Sequence, residues 1–112
     1  MTLLLVSLAG SIGAVSRYFV SGWIQARSPW NFPVGTLTVN VLGSLALGLI
    51  VGTGAIDSAP VIAGVGFLGG FTTFSTWMVE TARLGSTRGF LNLSLMLLAG
   101  VAAAATGLIL TM

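Results

Sequence analysis

The sequence predicts an all-α integral membrane protein: four transmembrane helices in a single domain spanning residues 1–112. Two observations carry that reading. Charged residues make up 5% of the chain, against about 25% in an ordinary soluble domain, so they cannot solvate the surface of so small a globule. The rest of the sequence falls into long uncharged stretches, each near the ~20 residues that an α-helix needs to cross the hydrocarbon core.

The stretches set the helices. Met1–Ser16 is uncharged and precedes Arg17 and Arg27; Ser28–Ile56 runs to Asp57; Ser58–Val79 is closed by Glu80, Arg83 and Arg88; Gly89–Met112 is the last. Helices are expected at about 2–24, 33–54, 59–82 and 90–111, the first absorbing Arg17 near its end. A transmembrane barrel would need alternating apolar and polar positions, and runs such as Leu45–Ile50 and Leu95–Ala105 do not alternate. Pro33 and Pro60 suit helix starts. No positive segment precedes the first apolar run, so a cleavable signal peptide is not expected.

Composition also excludes chemistry. The chain has no cysteine or histidine and only two acids, which removes thiolate chemistry and nearly all acid–base catalysis. No enzyme is expected. A net charge of +2 gives no clustered basic face for nucleic acid. Four spans put both termini and the second loop on one side, and the first and third loops on the other. Arg17, Arg27, Arg83 and Arg88 all fall on or at the edge of the latter, so the positive-inside rule puts loops one and three in the cytoplasm and both termini outside, in a multi-pass protein of the cell membrane.

Polar groups in the spans are the candidates for function. Most Ser and Thr hydroxyls can bond to a carbonyl one turn back. Asn40 sits mid-span with two donors and two acceptors to satisfy; it either ties helices together or lines a pore. Gly69-Gly70 followed by Phe71-Thr72-Thr73-Phe74-Ser75-Thr76 makes a poor continuous helix. A break is expected there, with freed carbonyls available to a cation. Phe74 and Trp77 share a face, where they either pack or present positive ring edges to a small anion. Arg17 either snorkels to the interface or holds anions at a vestibule.

Three motifs resemble the small fluoride channel family (Fluc, also called CrcB): Gly10-Ser-Ile-Gly-Ala-Val-Ser-Arg17-Tyr18, Gly35-Thr-Leu-Thr-Val-Asn40-Val-Leu-Gly43-Ser44, and Gly66-Phe-Leu-Gly-Gly-Phe-Thr-Thr-Phe-Ser-Thr76. The resemblance covers about the first 83 residues well and the last helix loosely. It implies an antiparallel dimer of four-helix subunits with two narrow pores and a central structural sodium ion held by the carbonyls of Gly69 and Thr72 from both subunits. It further implies an anion pathway using Phe74, Asn40, Ser75 and Thr76, with Arg17 near a pore entrance, and passive fluoride efflux that protects the cell. Two departures stand out. Trp77 replaces the family's second pore phenylalanine, and after Asn92 in the fourth helix Met96 and Gly100 stand where polar residues are usual.

An antiparallel homodimer needs one chain inserted both ways, hence a near-zero arginine bias. Four arginines against none predicts one orientation, and so a heterodimer with a related chain of opposite topology. Two rivals remain: a non-conducting accessory membrane subunit, and a small multidrug exporter, which would need an acid in the first span where this chain has none.

Overall fold

The computed structural model describes every residue except Ile56, so one residue of the connection expected between the helices at 33–54 and 59–82 lies outside the described residues. Among the described residues the structure is all-helical, as expected: α1 (Thr2–Arg27), α2 (Val34–Gly52), α3 (Ala59–Phe71) and α4 (Ser75–Thr111). α1 runs three residues past its expected end and stops at Ser28, which is extended at φ −78° and ψ 130°. Pro29 follows, and its ring disfavours a helical residue before it. Pro33 occupies the N-cap of α2 and Pro60 the first turn of α3, where a missing N–H costs nothing.

The second half of the chain departs from simple spans. The helix expected over 59–82 stops at Phe71 and resumes at Ser75. α4 then continues through the connection expected between the helices at 59–82 and 90–111, broken only at Gly85, with φ 86° and ψ −171°. The chain reverses there. Asn92 Nδ2 donates to Thr81 Oγ1 at 2.9 Å, whereas eleven residues of straight helix would separate them by about 16 Å. A full loop shrinks to one residue because glycine alone adopts that backbone geometry at little cost.

The helices pack mainly in two pairs, α1 with α3 and α2 with α4. Both seams bring backbones together. A Cβ on Gly70 would run into the carbonyl of Gly10, and one on Gly48 into that of Ala104. Such contact gives helices van der Waals adhesion where lipid offers no hydrophobic drive.

Burial is inverted relative to a water-soluble core. Val39 and Met96 are the buried large apolar side chains, while Thr36, Thr73 and Asn92 are buried and polar. Phe19, Trp23, Phe90, Leu98 and Ile109 are each more than half exposed. Among the described residues three stretches are long and apolar enough to cross a membrane: Thr2–Arg27, Val34–Gly52, and Ala59–Thr111, the last containing the Gly85 reversal. The hydroxyls of Ser7, Ser11, Ser16, Thr38 and Thr106 each bond to the carbonyl four residues back, as polar groups facing lipid should.

The α1–α2 connection and the Gly85 turn meet at one end of the molecule. Arg88 donates to the Asn31 carbonyl, and Gln25, Asn31, Glu80, Arg83 and Arg88 line one depression there. Gln25 stitches the connection: its Nε2 donates to the Phe32 carbonyl and its Oε1 accepts the Gly35 N–H, both at 2.9 Å. The latter satisfies one of the orphan donors at the start of α2.

Candidate functional site

The interruption between α3 and α4 is a local failure of helical hydrogen bonding, and the replacement bonds identify the residues that cause it. In a continuous helix the Thr73 N–H would return to the Gly69 carbonyl. Here it goes to Asn40 Oδ1 at 2.8 Å, and Asn40 Nδ2 donates to the Thr73 carbonyl at 2.9 Å. The Thr76 N–H turns to Thr73 Oγ1 at 3.2 Å. The carbonyls of Gly70 and Thr72 accept from Arg17 Nη1 at 3.2 and 3.3 Å. Side chains from α1, α2 and the break itself thus take up the Thr73 N–H and carbonyl, the Thr76 N–H and the carbonyls of Gly70 and Thr72, which is how non-helical backbone survives away from water.

The Gly69-Gly70 pair does not break the helix. Both residues lie inside α3, and Gly70 serves the close approach to α1. The break falls at Thr72–Phe74, where Asn40 outcompetes the helix for Thr73. Diverting the Thr73 N–H frees the Gly69 carbonyl at a position where even a Cβ would meet open space.

Asn40, Gly69, Thr72, Phe74 and Trp77 all line one groove, together with Thr73 and, from α4, Met96 and Gly100. Phe74 is 68% exposed and stands perpendicular to Trp77, with ring centroids 5.6 Å apart and planes at 87°. Ser75 and Thr76 are exposed at the start of α4, and Ser75 Oγ lies 3.5 Å from Thr73 Oγ1. Arg17 stands apart from the groove lining: its guanidinium sits at the end of α3 and not at the loop end of α1. It is ten residues from Arg27, about 15 Å along the helix.

Asn40 does tie helices together: its amide holds Thr73 and also reaches Met96 Sδ at 3.4 Å. Thr73 was not singled out in the sequence, because its role lies in its backbone. Asn92 is fully buried against Thr81, with its Oδ1 unpartnered, and is not part of the groove lining. Met96 and Gly100 line the groove instead, so its α4 wall is apolar along its length: Met96, Leu97, Gly100, Val101 and Ala104.

The groove is open, with a volume of about 500 Å³, and one chain leaves it without a far wall. Selection among small ions needs a constriction lined by specific groups. The donor set offers uncharged oxygens, hydroxyls and ring edges, which suits hard cations at carbonyls and small anions at N–H, O–H and ring edges. No group of three or more metal-ligating acids, cysteines or histidines occurs among the described residues.

Residues 4–111 match the family described as CrcB-like protein, Camphor Resistance (CrcB). The chain is 49% identical over 85 residues to Fluoride-specific ion channel FluC 1 of Geobacillus kaustophilus, covering 76% of this chain and 72% of that one. It is 43% identical over 106 residues to FluC 2 of Mycobacterium tuberculosis, covering 91% and 84%. It is also 46% identical over 119 aligned residues to FluC 2 of Cutibacterium acnes, covering 98% and 97%.

Proposed function

Because the chain belongs to the CrcB-like family, whose members matched here are named as ion channels and not as enzymes, we propose that it is one subunit of a fluoride-selective channel. The observation that carries the proposal is the Asn40-clamped interruption at Thr72–Phe74, which leaves Phe74 exposed in a groove without a far wall. A second subunit packed antiparallel closes that groove into two narrow pores, with four membrane spans contributed by each chain. The Gly85 reversal supplies the division between the third and fourth spans.

Fluoride is small, strongly hydrated and a strong hydrogen-bond acceptor. A pathway for it must replace water with donors and positive ring edges, without a fixed charge that would trap it. Phe74 and Trp77 offer ring edges. Ser75 and Thr76 offer hydroxyls, and Asn40 lines the path while fixing the backbone from which Phe74 projects. The carbonyls of Gly69 and Thr72 from both subunits would hold a structural sodium ion, Thr72 through the lone pair that Arg17 leaves free. The fit rests on the Gly69 carbonyl freed by Asn40 and on oxygen ligands suited to a hard cation. Such an ion, when bound, would supply positive charge beside the path. Flow is passive: neutral HF enters from acid surroundings, dissociates in the neutral cytoplasm, and the trapped anion leaves down its gradient.

The partner is a related chain of opposite topology. Arg27, at the end of α1, and Arg83 and Arg88 belong to the end where the first and third connections meet, and exposed Trp23 in the last turns of α1 and Trp30 within the first connection lie there too, as residues at a membrane–water boundary do. That end is cytoplasmic and both termini are outside. Arg17 is committed to the break, so the count that orients the chain is three against none. Relatives numbered 1 and 2 fit a paired arrangement, in which the partner provides the polar groups that Met96 and Gly100 do not.

The test is fluoride efflux from liposomes holding this chain alone, and then together with a paired chain, with chloride as control. Silence alone and fast, fluoride-selective efflux from the pair is the expected result. Fast efflux from the chain alone would overturn the heterodimer while establishing the channel. The apolar α4 wall of the groove favours a second reading, a non-conducting accessory subunit; silence in both assays would select it.

A further inference from the structure

We infer that Arg17 is a positioning residue that holds the end of the interrupted helix from within the subunit, and that it does not recruit anions at a pore mouth. The inference rests on the channel reading above. Arg17 Nη1 donates to the carbonyls of Gly70 and Thr72 at 3.2 and 3.3 Å, across 53 and 55 residues of sequence. These carbonyls sit at the C-terminal end of α3, where unsatisfied oxygens and the helix dipole concentrate negative charge. Bonds from an ionised donor are the strong ones.

The packing of α1 leaves Arg17 little choice. A Cβ on Gly13 would run into the Phe67 carbonyl, and one on Gly70 into that of Gly10. With the two backbones in contact at Gly13, the side chain one turn further along α1 meets the last turn of α3. Both bonds come from one nitrogen, so each of its hydrogens is committed to backbone oxygen. Phe74 lies two residues beyond Thr72. A Thr72 peptide released from Arg17 would therefore swing the segment that aims the ring. Arg17 and Asn40 hold the break from opposite helices, α1 and α2, one through carbonyls and the other through both polar groups of a single residue.

Hydrogen exchange, followed by mass spectrometry on the full-length protein in lipid, reads residues 72–76 whether or not the chain conducts, so failure of this inference is separable from failure of the channel reading. Arg17→Gln is expected to speed exchange of those amides by about tenfold or more, with Arg17→Lys intermediate because its shorter ammonium reaches the carbonyls less well. In a conducting assembly, Arg17→Gln lowers fluoride throughput by the same factor at low and at saturating fluoride. Unchanged protection of 72–76 would overturn the inference. So would a flux deficit confined to low fluoride, which marks anion recruitment. Should Arg17→Gln fail to fold, Arg17→Lys decides alone: exchange several-fold faster than wild type supports the inference, and wild-type protection overturns it.

Discussion

Asn40 and Thr73 form a two-point contact in which one side-chain amide takes the place of a helix: Oδ1 accepts from the Thr73 N–H at 2.8 Å and Nδ2 donates to its carbonyl at 2.9 Å. Both partners sit away from solvent, Thr73 buried and Asn40 half-buried. The pair therefore defines where α3 ends and α4 begins.

Removing the amide should be costly. Asn40→Ala leaves a buried N–H and a carbonyl unpaired, a loss of about 2–4 kcal/mol. Thermal unfolding of the purified protein in detergent should show a clear fall in midpoint. Fluoride efflux from the competent assembly should drop at least about tenfold, because the ring of Phe74 loses its fixed base. Wild-type efflux in Asn40→Ala would refute the clamp.

Gly85 carries a different kind of constraint. Its φ of 86° and ψ of −171° fall in a region that is essentially glycine's alone, and a Cβ there costs about 1–3 kcal/mol although nothing lies within 4 Å of it. Gly85→Ala should lower the unfolding midpoint. Gly22→Ala, also in open space but on helical backbone, should be neutral or slightly stabilising. Equal midpoints for the two variants would show that the turn is not strained.

Trp77 has a buried indole N–H without a partner among the described residues. Trp77→Phe removes that donor and keeps an aromatic ring, so stability should be retained or raised by about 1 kcal/mol. Fluoride selectivity should persist, whereas Trp77→Ala should lose both. A large loss of selectivity in Trp77→Phe would assign the indole N–H to the ion path.

Orientation can be read cleanly because the chain has no cysteine. A single cysteine near residue 112 should be labelled only from outside in the parent background. Neutralising Arg27, Arg83 and Arg88 together should give mixed labelling. Mixed labelling of the parent would remove the case for a partner of opposite topology.

Much of this was legible in the sequence. Helices follow from run length and lack of charge, and the threonine-rich segment after Gly69-Gly70 announced an interruption. Its position, at Thr72–Phe74, did not follow from glycine content. Gly70 turned out to serve the seam with Gly10, while the break is imposed by Asn40 from another helix. Arg17 was ambiguous for the same reason: its partners lie more than fifty residues away, and local pattern cannot encode a carbonyl acceptor. Gly85 was absorbed into a loop because a one-residue reversal carries no run of turn residues.

The two glycine seams have a consequence for transport. Where backbone touches backbone, neither helix has side-chain slack along which to slide or rotate, and an opening motion would have to break many contacts together. The proposed pathway, built beside such ribs, is expected to keep its shape during passage. Flux through it should carry the shallow temperature dependence of ion diffusion, not the steep one of a protein that must change shape for each passage.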